Sequence, residues 1–274
     1  MNTARGRRTE SAPWSRNRLL AMLAGIGVAI CVMMAGLSIA VWSLVVDPAP
    51  APTTSSTSQP DQTVVPVRDR IAAAPMASVD PDAAFSPDPA TSTIGEIVIP
   101  VATIEAGPAG VPSGFPRTPQ GAVGQLAAIE KTALESMSLP TVRDIHQAWV
   151  QPGGPDVTDW ELTRDVEAFL AAGRQGGQTK DVTTLVQATP AAAMVKGVDG
   201  PDWTLACVLM DVQVAIRTEA RMGYGLCARM QWNPTEQRWL IAVGSPPAAA
   251  PSTWPGSRAA VAAGWQSWVE EVER

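Results

Sequence analysis

Three hydrophobic patterns follow one another along this chain. From Leu19 to Val46 the residues read LLAMLAGIGVAICVMMAGLSIAVWSLVV, 28 positions without a charge. About 20 apolar residues suffice to cross a bilayer as a helix, and an excess is taken up by tilt. A cleaved signal peptide would have a shorter apolar core of roughly 7–15 residues and a small-residue cleavage site. The run ends WSLVVDP, so the pattern predicts an uncleaved membrane anchor over 19–46. Residues 47–114 show no sustained period. From about Phe115 onward, a helical period gives way to a period of two.

The helical part has three segments. In RTPQGAVGQLAAIEKTALESM, Thr118 is placed to cap a helix and Pro119 to begin it. Ala122, Leu126, Ile129, Ala133 and Met137 follow at helical spacing. TVRDIHQAWVQPGG predicts a second, shorter helix, stopped by Pro152 and two glycines. DVTDWELTRDVEAFLAAGRQGG predicts a third, with Trp160, Val166, Phe169 and Leu170 on one face and Gly176–Gly177 at its end.

Alternation then takes over. TTLVQATPAAAMVKGV predicts a weaker strand with Pro190 at a bulge or edge. WTLACVLMDVQVAIR, YGLCARMQW and RWLIAVG predict three more strands, separated by the turns TEARMG and NPTEQ. In PSTWPGSRAAVAAGWQSWVEEVER, Ser257 is placed to cap a closing helix with Val261, Trp265, Trp268 and Val272 on one stripe. The expected fold class is therefore α+β: about three helices packed on one face of a curved antiparallel sheet, plus a C-terminal helix.

Composition sharpens the middle block. Residues 47–114 hold 12 prolines, many Ser and Thr, and one aromatic, Phe85. Such a segment buries too little apolar area to offset its ordering entropy, which predicts a disordered linker. As a flexible coil it would reach roughly 45 Å. The apolar run Ile94–Ile104 interrupts it, and three readings stay open: a strand added to the domain, a strand added to a partner, or a sticky stretch of linker. The expected boundaries are a basic arm at 1–18, the transmembrane helix at 19–46, the linker at 47–114 and a folded domain at 115–274.

Charge sets the orientation. Arg5, Arg7, Arg8, Arg16 and Arg18 precede the apolar run and Asp47 follows it. Positive flanks stay in the cytoplasm, so everything after residue 47 is expected outside. The net charge of −6 argues against direct nucleic-acid binding.

Candidate chemistry is sparse. His146 is the one histidine, and no nucleophile–histidine–acid set assembles around it. GYGLCA (Gly223–Ala228) matches a dinucleotide-binding pattern but opens a strand where that motif opens a helix. Asp156, Asp159, Glu161, Asp165 and Glu167 lie around a helix start, where acids favour the dipole. Asp199 and Asp202 suit a turn. Asp211 is the acid within a long strand, either a general base facing a sheet-lined pocket or part of a solvated face with Gln213 and Arg217. No catalytic residue, cofactor or metal ligand is expected.

Cys207 and Cys227 fall on the two strands of one expected hairpin. Their parity places them on the same face and nearly opposite, which in an oxidising compartment permits a disulfide; two small buried thiols are the alternative. Trp232, Trp239, Trp254, Trp265 and Trp268 are read as core or partner-contact residues.

The order of anchor, Pro-rich tether, FPRTPQGAV helix start and meander ending MQWNPTEQRWLI resembles membrane proteins of actinobacterial integrative and conjugative elements. STWPGS near the C-terminus adds to the resemblance. The outer domains of that family look like the nuclear-transport-factor-2-like (NTF2-like) fold, shared with VirB8- and TcpC-type components of conjugative secretion machines. The resemblance implies a single-pass scaffold or assembly protein of a DNA-transfer complex, type IV secretion-like, with protein partners, no enzymatic activity and no cofactor. The single domain and C-terminal helix depart from larger two-domain relatives. A homo-oligomer through a sheet face or strand edge is an open expectation. The alternative is an envelope ligand-binding or sensing module with a pocket in the NTF2-like cone.

Overall fold

The computed structural model describes residues 65–271, apart from 88, 92, 93 and 217. The expected arm 1–18, the span 19–46 and the first part of the linker lie outside the described residues. Among the described residues no helix is long and apolar enough to cross a membrane.

In chain order the elements are α1 (Val67–Ala73), a 3-10 turn (Pro81–Ala84), β1 (Glu96–Ile99), a second 3-10 turn (Pro108–Gly110), α2 (Pro119–Ser136), α3 (Leu139–Trp149), α4 (Glu161–Ala172), β2 (Leu185–Val198), β3 (Trp203–Ala215), β4 (Glu219–Asn233), β5 (Arg238–Ile241), α5 (Arg258–Ala262) and β6 (Gln266–Glu270). The domain is α+β, with helices packed against a curled six-stranded mixed sheet. Strand order is β1-β6-β2-β3-β4-β5.

The helices begin where the residues can satisfy their first amides. Thr118 accepts from Gly121 N, with Pro119 at the first helical position. Ser138 caps α3 in the same way, accepting from Thr141 N. The meander β2–β5 follows the alternation, and β2 shifts register between Pro190 and Ala192, as a strand proline requires.

Alternation along β3 divides the core in two. Ala206, Val208 and Met210 face the helices, in one cluster with Leu126, Ile129, Ile145, Trp149 and Val166. Cys207 and Leu209 face the other side, where Ala260, Ala263 and Trp265 cover them. Farther along that outer face, α1 brings Ala72 against Trp203 and Leu205. The unbroken run of buried residues from Trp203 to Met210 is what a strand covered on both faces requires.

Three expectations are corrected. The folded domain does not start at Phe115: Ala72, Ala84, Ile97, Ile99 and Val111 are all buried, so the described part of the linker belongs to the domain. These segments are too short to show a period, and they are held by contacts from distant parts of the chain. Lys196 Nζ donates to Ala72 O, Ala248 N donates to Ala72 O, and β1 pairs with β6. Of the three readings of the 94–104 run, the structure supports a strand added to the chain's own sheet. Second, that strand runs parallel to β6, so the sheet is mixed rather than antiparallel.

Third, the C-terminal helix is only α5. Ser257 does cap it, accepting from Ala260 N, but Gly264 at φ +92° breaks the stripe. Beyond it the chain becomes β6. The indole N–H of Trp265 donates to Pro251 O on the outer face, while Trp268 packs against the helix-side core.

Cys207 and Cys227 are opposite in the β3–β4 register and joined by a disulfide, which closes a loop of separation 20. Loop-closure entropy for that length is worth about 3 kcal/mol. Replacing both cysteines by alanine should therefore lower stability by roughly 2–3 kcal/mol. Denaturant midpoints of the two proteins would measure it, and unchanged midpoints would contradict it. Thr118→Ala should cost about 1 kcal/mol by the same measurement.

Candidate functional site

The helix-side core contains an acidic cluster. Glu130 projects from α2 and is fully buried. Neither of its carboxyl oxygens has a hydrogen-bond partner among the described residues. Glu161 and Asp165 lie one turn apart on α4, each half-buried. Tyr224 extends from β4 and donates its hydroxyl proton to Asp165 Oδ2 at 2.6 Å. Residues of α2, α4 and β4 thus meet in one region.

Electrostatics follow from that crowding. Burial, reinforced by the Glu161 charge, holds the Glu130 carboxyl well above the usual range. Burial and then Asp165 push Glu161 up, against the opposing pull of Arg164. Asp165 is raised by burial, opposed by the Tyr224 hydrogen bond and Arg164. The Tyr224 phenol is pushed well above its ordinary value by burial and the surrounding carboxyls. Burial thus favours the protonated forms of these carboxyls.

A cleft lies beside Glu161, the one member of this cluster that lines it. β5 pairs with β4 only from Met230 to Asn233, and Gly244 at φ +127° marks where the chain bends away. The cleft opens beside β4 at Leu226 and Ala228, with Trp160, Glu161 and Arg164 on its other wall and Leu126 at its base.

The β4 glycines have a packing role. A Cβ on Gly223 would lie 1.8 Å from Thr253 O, and one on Gly225 2.9 Å from Pro251 O. The segment 250–255 crosses the outer face there, which needs glycine on alternate residues. Tyr224, between them, points to the opposite face. The GYGLCA pattern thus reflects strand packing.

The other sequence candidates lie apart. His146 Nε2 is 2.7 Å from Pro155 O and its ring meets Trp160 edge-on, which ties α3 to the α4 approach. Asp211 shares the outer face with Cys207 and forms a two-point ion pair with Arg221; it does not face the helix-lined interior. Asp199 pairs with Arg68 and Asp202 with Arg117. Among the described residues, no group of three His, Cys, Asp or Glu could hold a metal ion.

Trp232 and Trp239 sit opposite each other across the β4–β5 turn, edge to face at 5.6 Å. The Trp239 indole donates to Pro116 O and so fastens the turn to the α2 approach. Trp254 stacks under Arg221.

Glu130 was passed over in sequence reading, although a signal existed. It lies between Leu126 and Ala133 on the very stripe that defines the apolar face of α2. A charge on that stripe has no solvated position. Comparison of the chain with known protein families, with curated proteins and with solved structures gave no match.

Glu130 carries a pH prediction. Its folded-state value is raised, so the stability tied to its protonated form is complete below the ordinary glutamate range. That stability is lost as pH rises toward the folded value. One proton limits the slope to about 1.4 kcal/mol per pH unit. Glu130→Gln should flatten the decline of the denaturant midpoint above about pH 4.3. An unaltered slope in that variant would assign the decline to other groups.

Proposed function

We propose that this protein is a single-pass, membrane-anchored scaffold or assembly factor whose NTF2-like domain works outside the cytoplasm, in a conjugative DNA-transfer complex of type IV secretion-like design. The observation that carries the reading is the Cys207–Cys227 disulfide. Structural disulfides persist in oxidising compartments and are rare in the cytosol. The charge-free run 19–46 and its arginine-rich N-terminal flank supply the matching anchor and orientation.

The architecture is consistent with the NTF2-like assignment: three principal helices lie on one face of a curled sheet, and the meander β2–β5 forms most of that sheet. The domain would act by recruitment. The anchor sets its location and the contact with its partner gains from a high local concentration. Conjugation machinery as the partner rests on the sequence resemblance.

Topology is tested first. A cysteine placed at Val182, which is fully exposed, should react with a membrane-impermeant maleimide in intact cells. A cysteine at Asn2 should react only after lysis; the reverse pattern would overturn the orientation. In-membrane crosslinking in the native host followed by affinity purification then tests the partner. Recovery of coupling ATPase or channel subunits, lost on deletion of 115–274, is the expected result. Recovery of the protein alone would reject the transfer-complex reading.

A further inference from the structure

The cleft beside β4 runs along an unfinished edge of the sheet. In an antiparallel ladder, successive residues turn their amide and carbonyl to opposite neighbours. The register of β4 on β3 is unbroken from Gln231 to Glu219, so one parity serves β3 and the other faces away. The bonds show which is which. Trp232 N donates to Asp202 O, just before β3, whereas Arg229 O accepts from Ala242 N, just after β5, and Gly225 N donates to Ser252 Oγ. Cys227 shares the parity of Arg229 and Gly225, so its N–H and C=O also point away from β3. β5 pairs only with Met230 to Asn233, and Leu226, Cys227 and Ala228 line the cleft. Among the described residues no strand lies beside Cys227 on that side.

The chain's own passing segment does not complete the edge. Beyond Ala242 it holds Pro246 and Pro247, both on the cleft lining, and proline has no amide to give. Ser245 O is taken by Arg229 Nε. From Gly225 to Arg229 the edge is roughly 13 Å long, the length of about four extended residues.

Those features select the occupant. A helix has no free backbone groups along its length, whereas an extended segment can exchange both bonds with Cys227 and add a strand. Its helix-side residues would lie against Leu126, Trp160 and Leu226, so they need to be apolar. Charge selects further. Arg229 on the lining is paired with Asp69, which leaves Asp159 and Glu161 against Arg164. Asp159 and Arg164 are exposed, so the mouth favours a basic side chain over an acidic one.

We propose that the β4 edge at Cys227 binds an extended segment of a partner protein, apolar at alternate positions and carrying a basic residue at the mouth between Asp159 and Glu161. The inference rests on the scaffold reading for the existence of a partner chain. Peptide binding is tested without any transfer machinery, so either reading can fail alone.

The test uses the full-length chain purified in a non-ionic detergent and random heptapeptides displayed on phage. Enriched sequences should alternate apolar residues and carry Lys or Arg. N-methylation of alternate amides in a synthetic copy should weaken binding at least about tenfold in one parity and little in the other. The double variant Asp159→Asn, Glu161→Gln should weaken it about three- to fivefold, and Asp211→Asn, on the outer face, should leave it unchanged. In amide hydrogen exchange followed by NMR, the Cys227 amide should slow at least tenfold on peptide binding, with Leu226 and Ala228, bonded to β3, little changed. Failure to enrich any sequence, equal effects of both N-methylation patterns, or an unaltered Cys227 amide would overturn the proposal. So would Cys227 protection that appears without peptide and grows with protein concentration, which would give the edge to a second copy.

Discussion

Burial of β3 on both faces is the constraint around which the domain is arranged. From Trp203 to Met210 no residue of this strand reaches solvent. A strand of that kind has no polar side to offer, so each face needs its own cover. On one face the cover is a layer of helices, with α2 running across β2 and β3. On the other it is a set of short pieces taken from the two ends of the described chain: α1, the stretch around Met76 and Val79, the segment 250–255 and α5. The disulfide lies under this second layer, beneath Trp265 and its neighbours.

The two layers meet the sheet in different ways. In the outer one the chain passes close to the sheet, where Gly223 and Gly225 of β4 give way to the backbone of 251–253. In the helix layer the chain tolerates Glu130 with no partner for its oxygens among the described residues. Burying such a group costs free energy that an apolar residue of the same size would not.

Much of the domain was legible because its elements announce themselves locally. Thr118 and Pro119 mark the start of α2, alternation marks β2 to β5, and the parity of Cys207 and Cys227 anticipated their pairing. Where reading failed, the elements depend on distant partners. β1 is four residues long and exists because β6 lies beside it. β6 in turn was mistaken for helix, since Trp265 and Trp268 are three apart and mimic a helical stripe. Gly264, with its positive φ, was the local sign of a break. Asp211 was weighed as a pocket base because parity alone does not tell which face of a sheet the helices cover.

The amino-acid sequence by itself determined the division into a charge-free run, a proline-rich stretch and a domain of helices followed by strands, because hydrophobic period and turn residues act over a few neighbours. It also determined which residues share a strand face. Tertiary structure alone decided which face meets the helices, that the described part of the proline-rich stretch is drawn into the domain, and that Glu130, Glu161, Asp165 and Tyr224 converge. Glu130 and Tyr224 lie 94 positions apart in the chain. Their meeting depends on how α2, α4 and β4 pack, and packing is set by long-range burial that no local pattern encodes.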